Sequence, residues 1–196
     1  MAAPGKKTPY RVIRQALLGL AAVMGTWPSL AAGPAPALSQ GITTAQALEA
    51  KSLVVGSPRP DFSLPDPAGV HHSISEWDGK LLLVNFWATW CPPCLEEIPG
   101  FIKLQSQYAG RGVQFLGVAM DKAENVQQFA AEHQMNYPSL QGQADAIAVA
   151  RRYGNTYGAL PYTVIISPTG RILRTHAGML ELDAARALIE SYLQTS

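Results

Sequence analysis

The sequence is most constrained by an apolar stretch that runs directly into its two cysteines. Residues 81–87 hold six apolar side chains and Asn85, which is the length and character of a buried strand. The motif Cys91-Pro92-Pro93-Cys94 follows, and the spacing of apolar residues after it is typical of a helix. The pattern therefore predicts a strand that delivers two thiols to the first turn of a helix.

Strand-like and helix-like segments alternate along the rest of the chain. Two short apolar patches on either side of a Pro/Gly turn predict a hairpin near residues 62–74. Further strands or extended segments are predicted at 113–119, 137–140, 162–166 and 171–176, and helices at 123–134, 144–153 and 182–193. Strands that alternate with helices and end in a hairpin predict an α/β fold, with a mixed central sheet covered on both faces.

The first 53 residues are predicted to lie outside this domain. Residues 1–32 combine four basic residues with an uncharged apolar stretch that ends in small residues, as a secretion signal does. The uncharged stretch approaches the roughly 20 residues of a membrane span, so an uncleaved N-terminal membrane anchor is the alternative. Residues 33–53 are expected to form a flexible linker with a short helix starting at Thr43 or Thr44. Residues 54–196 are then an exported folded domain.

The charge distribution argues against a nucleic-acid-binding surface on this domain. Four of the 15 basic residues precede the first acidic one, Glu49, so 11 basic residues accompany all 14 acidic residues in the rest of the chain. That part carries a formal charge of about −3, which gives no support for binding to nucleic acid or to anionic lipid.

The position of the thiols points to redox chemistry. A thiolate at a helix N-terminus is stabilised by unpaired N–H groups, which lowers its pKa and makes it nucleophilic. Pro92 and Pro93 have no N–H group, so this stabilisation should be limited, and a reductant is favoured over a strong oxidant. Cys91 is expected to attack a substrate disulfide, and Cys94 to resolve the mixed disulfide.

Other uses of the two cysteines fit the sequence less well. A structural disulfide across two intervening residues would restrict the unfolded chain very little. Zinc needs four ligands, and His71, His72, His133 and His176 have no ligand-like spacing relative to the cysteines. We expect these histidines at the surface.

Residues 79–94 resemble the active-site strand and helix start of the TlpA/ResA/DsbE-like thioredoxin-fold proteins, which are exported bacterial thiol-disulfide oxidoreductases. The resemblance extends from about Pro60 to the last helix, and implies a thioredoxin fold with an additional helix and strand segment at 123–140. It also implies a periplasmic reductant, soluble or anchored to the inner membrane, whose redox group is the dithiol without a further cofactor. Such proteins reduce apocytochrome c or copper-site assembly proteins, with electrons from a membrane thiol donor of the DsbD/CcdA kind.

The resemblance also implies roles for residues outside the motif. Pro161 matches the family's cis-proline opposite the cysteines, where the backbone of Leu160 would pair with substrate. Glu97 shares a helix face with Cys94 and matches a glutamate that handles the proton of the inner cysteine. Ordinary thioredoxins carry a buried aspartate where this chain has Asn85. Glu97 is therefore the nearest candidate proton acceptor, with water as the alternative.

Residues beside the motif are expected to be mainly structural. Trp87 and Trp90 are both expected to pack, and Trp90 also to shield the Cys91 sulfur and offer substrate a flat apolar contact. Glu96 is expected to be a solvated helix residue, and Pro99 to kink the helix.

Two other functions remain as hypotheses. One is a binding module, either a copper or thiol-metal chaperone or a redox-inactive domain that binds a partner. The other is a peroxidase of the related peroxiredoxin type, which is less supported because no lone peroxidatic cysteine lies in a threonine-containing loop.

Overall fold

The computed structural model describes residues 54–194, which form a mixed sheet with helices on both faces. The predicted leader at 1–32, the linker at 33–53 and the short helix near Thr43 lie outside the described residues. The strands are β1 Ser63–Pro65, β2 His71–Ser73, β3 Leu81–Trp87, β4 Val113–Ala119, β5 Ser139–Gln141, β6 Tyr162–Ile166 and β7 Ile172–Ala177. The helices are α1 Pro92–Tyr108, α2 Ala123–Glu132, α3 Ala144–Arg152 and α4 Leu182–Gln194, with short 3₁₀ turns at Ile74–Trp77 and Ala109–Arg111.

The five-stranded sheet has the order β5-β4-β3-β6-β7. β3 pairs parallel with β4, and β4 pairs parallel with β5, whereas β3–β6 and β6–β7 are antiparallel. β1 and β2 form a separate antiparallel hairpin. The predicted hairpin and the predicted mixed α/β sheet are both confirmed. Within the described residues, the strands predicted at 81–87, 113–119 and 162–166 have the predicted ends, and the other predicted strands and helices appear with ends shifted by one or two residues.

The central strand β3 is buried along its whole length, and its side chains alternate between two cores. One face packs against α3 and the β1–β2 hairpin through Leu82, Val84 and Phe86. The other face packs against α1, α2 and α4 through Leu81, Leu83 and Trp87. Because the alternation has a period of two, Asn85 falls on the α1 side of the sheet.

The additional helix and strand segment is present as α2 and β5. β5 is an edge strand that pairs with the end of β4. Between α2 and β5, the Asn136 amide donates hydrogen bonds to the Ile102 carbonyl at 3.0 Å and to the Ser106 hydroxyl at 2.7 Å. Both acceptors belong to α1, so this segment is attached directly to the helix that carries the cysteines.

Candidate active site

The two cysteines form a disulfide at the first turn of α1. Cys91 is the N-cap residue with an extended backbone, and Pro92 is the first helical residue. The Sγ–Sγ distance is 2.06 Å, so the structure represents the oxidised protein. Cys94 is fully buried, whereas Cys91 keeps 5% of its surface exposed. Cys91 is therefore the more exposed of the two residues, which is compatible with the attacking role predicted for it.

The start of α1 has fewer free N–H groups than the start of a helix normally has. A helix normally begins with four N–H groups that have no partner within the helix. Here Pro92 and Pro93 have none, and the N–H groups of Cys94 and Leu95 both donate to the Cys91 carbonyl, at 3.0 and 3.2 Å. The first turn therefore leaves no unpaired N–H group among these four residues to stabilise a thiolate on Cys91.

Glu97 lies one turn after Cys94 and is buried beneath the disulfide-bearing turn, with 4% of its surface exposed. Its Oε1 accepts a hydrogen bond from the Asn85 amide at 2.7 Å, and its Oε2 accepts one from the Leu180 N–H at 2.8 Å. Burial raises the pKa of Glu97 to about 7, although both hydrogen bonds act in the opposite direction. The carboxyl group can therefore gain or lose a proton near neutral pH.

Asn85 connects Glu97 to the sheet. Its Nδ2 also donates to the Thr163 hydroxyl on β6 at 3.1 Å, whereas its Oδ1 is buried and has no hydrogen-bond partner. The Tyr137 hydroxyl is likewise buried without a partner. Within residues 54–194 these two are the buried side-chain polar atoms that lack a partner. Sequence reasoning had not connected Tyr137, Thr163 or Leu180 with Glu97.

Pro161 immediately precedes β6, and the Leu160–Pro161 peptide bond is cis, as expected. The Leu160 side chain packs against the core that contains both cysteines. Among the described residues, the Leu160 N–H and carbonyl make no backbone hydrogen bond. The Asn155 side chain closes the preceding loop through two hydrogen bonds to the Ala159 backbone, at 2.8 and 2.9 Å.

The expectation that Trp87 and Trp90 both pack is half wrong. Trp87 is fully buried, and its Nε1–H donates to the Ser139 hydroxyl at 3.0 Å. Trp90 is 65% exposed because it lies beyond the end of β3, in the turn before Cys91, where no element covers it. An exposed ring is still available for the proposed contact with substrate, but Trp90 does not have the packing role that was expected of it.

Two neighbouring residues of α1 lie where they were expected. Glu96 is exposed, and Pro99 lies inside α1.

Asp121 supports the turn before the cysteines, and sequence reasoning missed it. The Asp121 carboxylate accepts hydrogen bonds from the Thr89 N–H at 3.1 Å and from the Thr89 hydroxyl. It also accepts from the Asn125 amide and the Lys122 N–H, both at 2.8 Å. These hydrogen bonds outweigh burial and lower the pKa of Asp121. An aspartate at the end of a predicted strand, two residues before a predicted helix, was the available signal.

The histidines do not gather around the cysteines. His71 and His133 are exposed, and His72 and His176 are partly buried, so the surface expectation holds fully for the first two. Among residues 54–194, no three His, Cys, Asp or Glu side chains lie close enough together to hold a metal ion. None of the helices in this part of the chain is both long enough and apolar enough to cross a membrane.

Comparison with known proteins agrees with this geometry. The family model described as AhpC/TSA family matches residues 55–175. The chain is 33% identical over 144 residues to the thiol-disulfide oxidoreductase ResA of Geobacillus thermodenitrificans, covering 73% of this chain and 80% of that protein. It is 35% identical over 130 residues to the thioredoxin-like protein YneN of Bacillus subtilis, covering 64% of this chain and 72% of that protein.

A solved structure gives the same result at the level of the fold. A thiol:disulfide interchange protein of the thioredoxin family from Chlorobium tepidum superposes with a TM-score of 0.62 at 28% identity, covering 70% of this chain and 97% of that chain. The expected thioredoxin fold and the expected family are confirmed. The protein belongs to the AhpC/TSA family and is a ResA-like thiol-disulfide oxidoreductase.

Proposed function

We propose that this protein is an exported reductant of protein disulfides, in which Cys91 attacks the substrate and Cys94 resolves the mixed disulfide. The observation that carries the proposal is the pair of cysteines at the first turn of α1 with a buried, titratable carboxyl group one turn further on. The redox group is the dithiol itself, and no further cofactor is needed.

The reaction begins with the reduced dithiol. The Cys91 thiolate attacks one sulfur of a substrate disulfide, forms a mixed disulfide and releases the other substrate sulfur as a thiolate. The Cys94 thiol gives its proton to Glu97 and attacks the Cys91 sulfur. The bond between Cys91 and the substrate breaks, the second substrate sulfur leaves as a thiolate, and the Cys91–Cys94 disulfide forms. Two electrons pass from the cysteine pair to the substrate disulfide, the Cys94 proton goes to Glu97, and the two substrate thiolates take up protons from Glu97 and from water.

Glu97 is suited to take the Cys94 proton. A general base works best when its pKa lies near the operating pH, and burial raises the pKa of Glu97 to about 7. A substantial fraction of the carboxyl groups is then ionised at neutral pH. Asn85 is placed where ordinary thioredoxins have an aspartate, and its amide can hold the carboxyl group but cannot take the proton.

The start of α1 favours electron transfer from the cysteine pair to the substrate. A strong oxidant needs a stabilised reduced form, which a helix N-terminus supplies through unpaired N–H groups. The four residues after Cys91 supply none, because two are prolines and the other two donate to the Cys91 carbonyl. This supports a reductant, with electrons supplied by a membrane thiol donor of the DsbD/CcdA kind.

Substrate is proposed to bind as an extended segment beside Pro161. The unpaired backbone groups of Leu160 are available for strand-like pairing, and the exposed Trp90 ring offers an apolar contact next to Cys91. We propose apocytochrome c or copper-site assembly proteins as substrates, in the periplasm, with the chain either released from its leader or anchored by it.

The first experiment measures reduction of a model disulfide, such as insulin, by the pre-reduced protein. Cys91→Ser is expected to abolish the activity, and Glu96→Gln, which alters an exposed neighbour in α1, is expected to retain it. Wild-type activity in Cys91→Ser would remove Cys91 from the reaction.

The second experiment identifies the substrate. Cys94→Ala leaves the mixed disulfide on Cys91 unresolved, so a substrate protein from the native host should stay covalently attached. Mass spectrometry of the adduct names the partner, and Cys91→Ser/Cys94→Ala is the control that traps nothing. Absence of any protein adduct would contradict a protein substrate.

A further inference from the structure

In the described part of the chain, two buried side-chain polar atoms have no hydrogen-bond partner, Asn85 Oδ1 and the Tyr137 hydroxyl. Both belong to side chains that interact with Glu97. Asn85 is hydrogen bonded to it, and the Glu97 charge adds to burial in raising the pKa of the Tyr137 hydroxyl. Buried polar atoms in folded proteins nearly always have a partner, so an unpaired one requires an explanation. The proposed reaction involves Asn85, which holds the Glu97 carboxyl group, but gives Tyr137 no role.

The fold holds Tyr137 firmly in this position. It lies in the segment between α2 and β5, and the preceding Asn136 is hydrogen bonded to α1 at two points. The centroids of the Tyr137 and Phe115 rings are 5.8 Å apart. Both rings belong to the same core as the Leu180 side chain. The Leu180 N–H is itself a hydrogen-bond donor to Glu97. The additional helix and strand segment therefore brings a phenol hydroxyl into the core that also contains Leu180, the residue that donates to the Glu97 carboxyl group.

The chemistry of a hydroxyl suits a carboxyl group that changes its protonation state. Each carboxylate oxygen of Glu97 accepts one hydrogen bond and can accept a second. A hydroxyl can donate to the carboxylate, and after rotation it can accept from the protonated carboxyl group. Burial, reinforced by the Glu97 charge, raises the pKa of the Tyr137 hydroxyl, so it stays protonated and neutral in both states.

We propose that Tyr137 is a positioning residue for Glu97. The Tyr137 hydroxyl, which has no direct partner, pairs with the Glu97 carboxyl group through one buried water and keeps it ready to exchange a proton with Cys94. This inference rests on the proposed role of Glu97 and adds a function for the segment between α2 and β5. It also accounts for one of the two unpaired buried atoms.

The other groups around Glu97 do not compete with this role. Its donors from β3 and from the segment before α4, the Asn85 amide and the Leu180 N–H, do not titrate. The Thr163 hydroxyl on β6, which accepts from the Asn85 amide, does not titrate either. On the β7 side, the His176 Nε2 lies 3.0 Å from the Met179 carbonyl oxygen. On α1, Glu96 is exposed, and the Cys94 thiol joins the titratable groups only after reduction.

The test is the titration of the Glu97 carboxyl group in the oxidised protein, followed by ¹³C NMR with labelled glutamate. Tyr137→Phe removes the hydroxyl that holds the bridging water, so the carboxylate loses the donor that the water supplies and the pKa of Glu97 is expected to rise by about one unit. Tyr153→Phe is the matched control, because Tyr153 is also a buried tyrosine but lies in the opposite core and donates to the Pro60 carbonyl. It should leave the titration unchanged.

A purely structural Tyr137 makes a different prediction. Because its hydroxyl has no partner in the oxidised structure, Tyr137→Phe would then leave both stability and the Glu97 titration as in the wild type. That result overturns the proposal. In single-turnover kinetics, the pH profile of the resolving step is expected to shift by the same unit, and this shift should vanish in a Glu97→Gln background.

The experiment separates this inference from the proposed function. The NMR titration is read in the oxidised protein without any turnover, so it can succeed or fail whether or not the protein reduces disulfides. Loss of disulfide reduction in the wild type would contradict the proposed function alone. An unmoved Glu97 titration in Tyr137→Phe would contradict the role of Tyr137 alone.

Discussion

Replacing Glu97 with glutamine is expected to remove a pH-dependent loss of stability from the oxidised protein. The Glu97 carboxyl group has an ordinary pKa of 4.5 and a folded-state pKa of about 7, raised mainly by burial. The folded protein therefore binds this proton more tightly than the unfolded chain does. The contribution to stability is fully present below about pH 4.5 and is lost as the pH rises through about 7.

The magnitude follows from the two pKa values. The difference between 4.5 and about 7 corresponds to about 3 kcal/mol, since each pKa unit is worth about 1.4 kcal/mol. Between pH 4 and pH 8 or above, the wild type should lose about 3 kcal/mol of unfolding free energy relative to Glu97→Gln. This is a large part of the 5–15 kcal/mol that holds a typical domain folded.

Glutamine can replace both hydrogen bonds of Glu97, although one buried polar atom of Asn85 stays unpaired, as it is in the wild type. The glutamine carbonyl oxygen can accept from the Leu180 N–H, as Glu97 Oε2 does. If the Asn85 amide turns over, its Oδ1, which now has no partner, can accept from the new NH₂ group and from the Thr163 hydroxyl. The Asn85 NH₂ group then lies in the place that has no partner, but it does not titrate, so its cost is the same at every pH. The pH-dependent part of the comparison therefore isolates the charge.

The assay is urea unfolding of the wild type and Glu97→Gln from pH 4 to pH 9, with the Cys91–Cys94 disulfide intact so that neither thiol titrates. Glu96→Gln is the control, because it makes the same chemical change at an exposed position in the same helix. Its difference from the wild type should not vary with pH in this way. If the wild type and Glu97→Gln follow parallel curves across this range, the argument from burial is refuted.

Three further substitutions test the surroundings of the site. Gly117→Ala should lower the unfolding free energy by about 1–3 kcal/mol in urea, because an added Cβ would lie 2.6 Å from the Ser139 hydroxyl; an unchanged midpoint would contradict this close packing. Asp121→Ala should lower it by about 1–3 kcal/mol at pH 7, because the Thr89 N–H and hydroxyl lose their acceptor. Since the pKa of Asp121 is lowered, its contribution to the unfolding free energy is present above pH 3.8 and should fade as the pH falls further. Urea unfolding of both proteins at pH 7 and at pH 2.5 measures this change. Trp90→Ala should change stability by less than about 0.5 kcal/mol, yet reduce kcat/KM for a protein disulfide by about tenfold in steady-state assays; equal kcat/KM values would remove Trp90 from substrate contact.

The elements that carry the cysteines could be predicted because their signals are local. An apolar run of strand length became β3, and the proline-containing start of a helix became α1. The period of two along β3 was enough to place Asn85 on a defined face once α1 was known to cover that face. The helix at 123–134 was predicted with a less precise end, since it stops at Glu132.

The exposure of Trp90 could not be predicted in the same way. Its neighbour Trp87 lies inside β3, where both faces of the sheet are covered, whereas Trp90 lies three residues later in a turn. Both residues are tryptophans in the same apolar context along the chain. Only the arrangement of distant elements decides which ring finds partners to pack against.

The sequence by itself determined where the thiols lie and which chemistry they offer, because a strand, a helix start and a Cys-x-x-Cys pair are patterns of neighbouring residues. The tertiary structure alone decided the environment of Glu97. Its partners are 12 residues away at Asn85 and 83 residues away at Leu180, and the Tyr137 hydroxyl arrives from the segment between α2 and β5. The pKa of a carboxyl group depends on how completely such distant groups exclude water and satisfy its oxygens, and no local pattern in the chain records that.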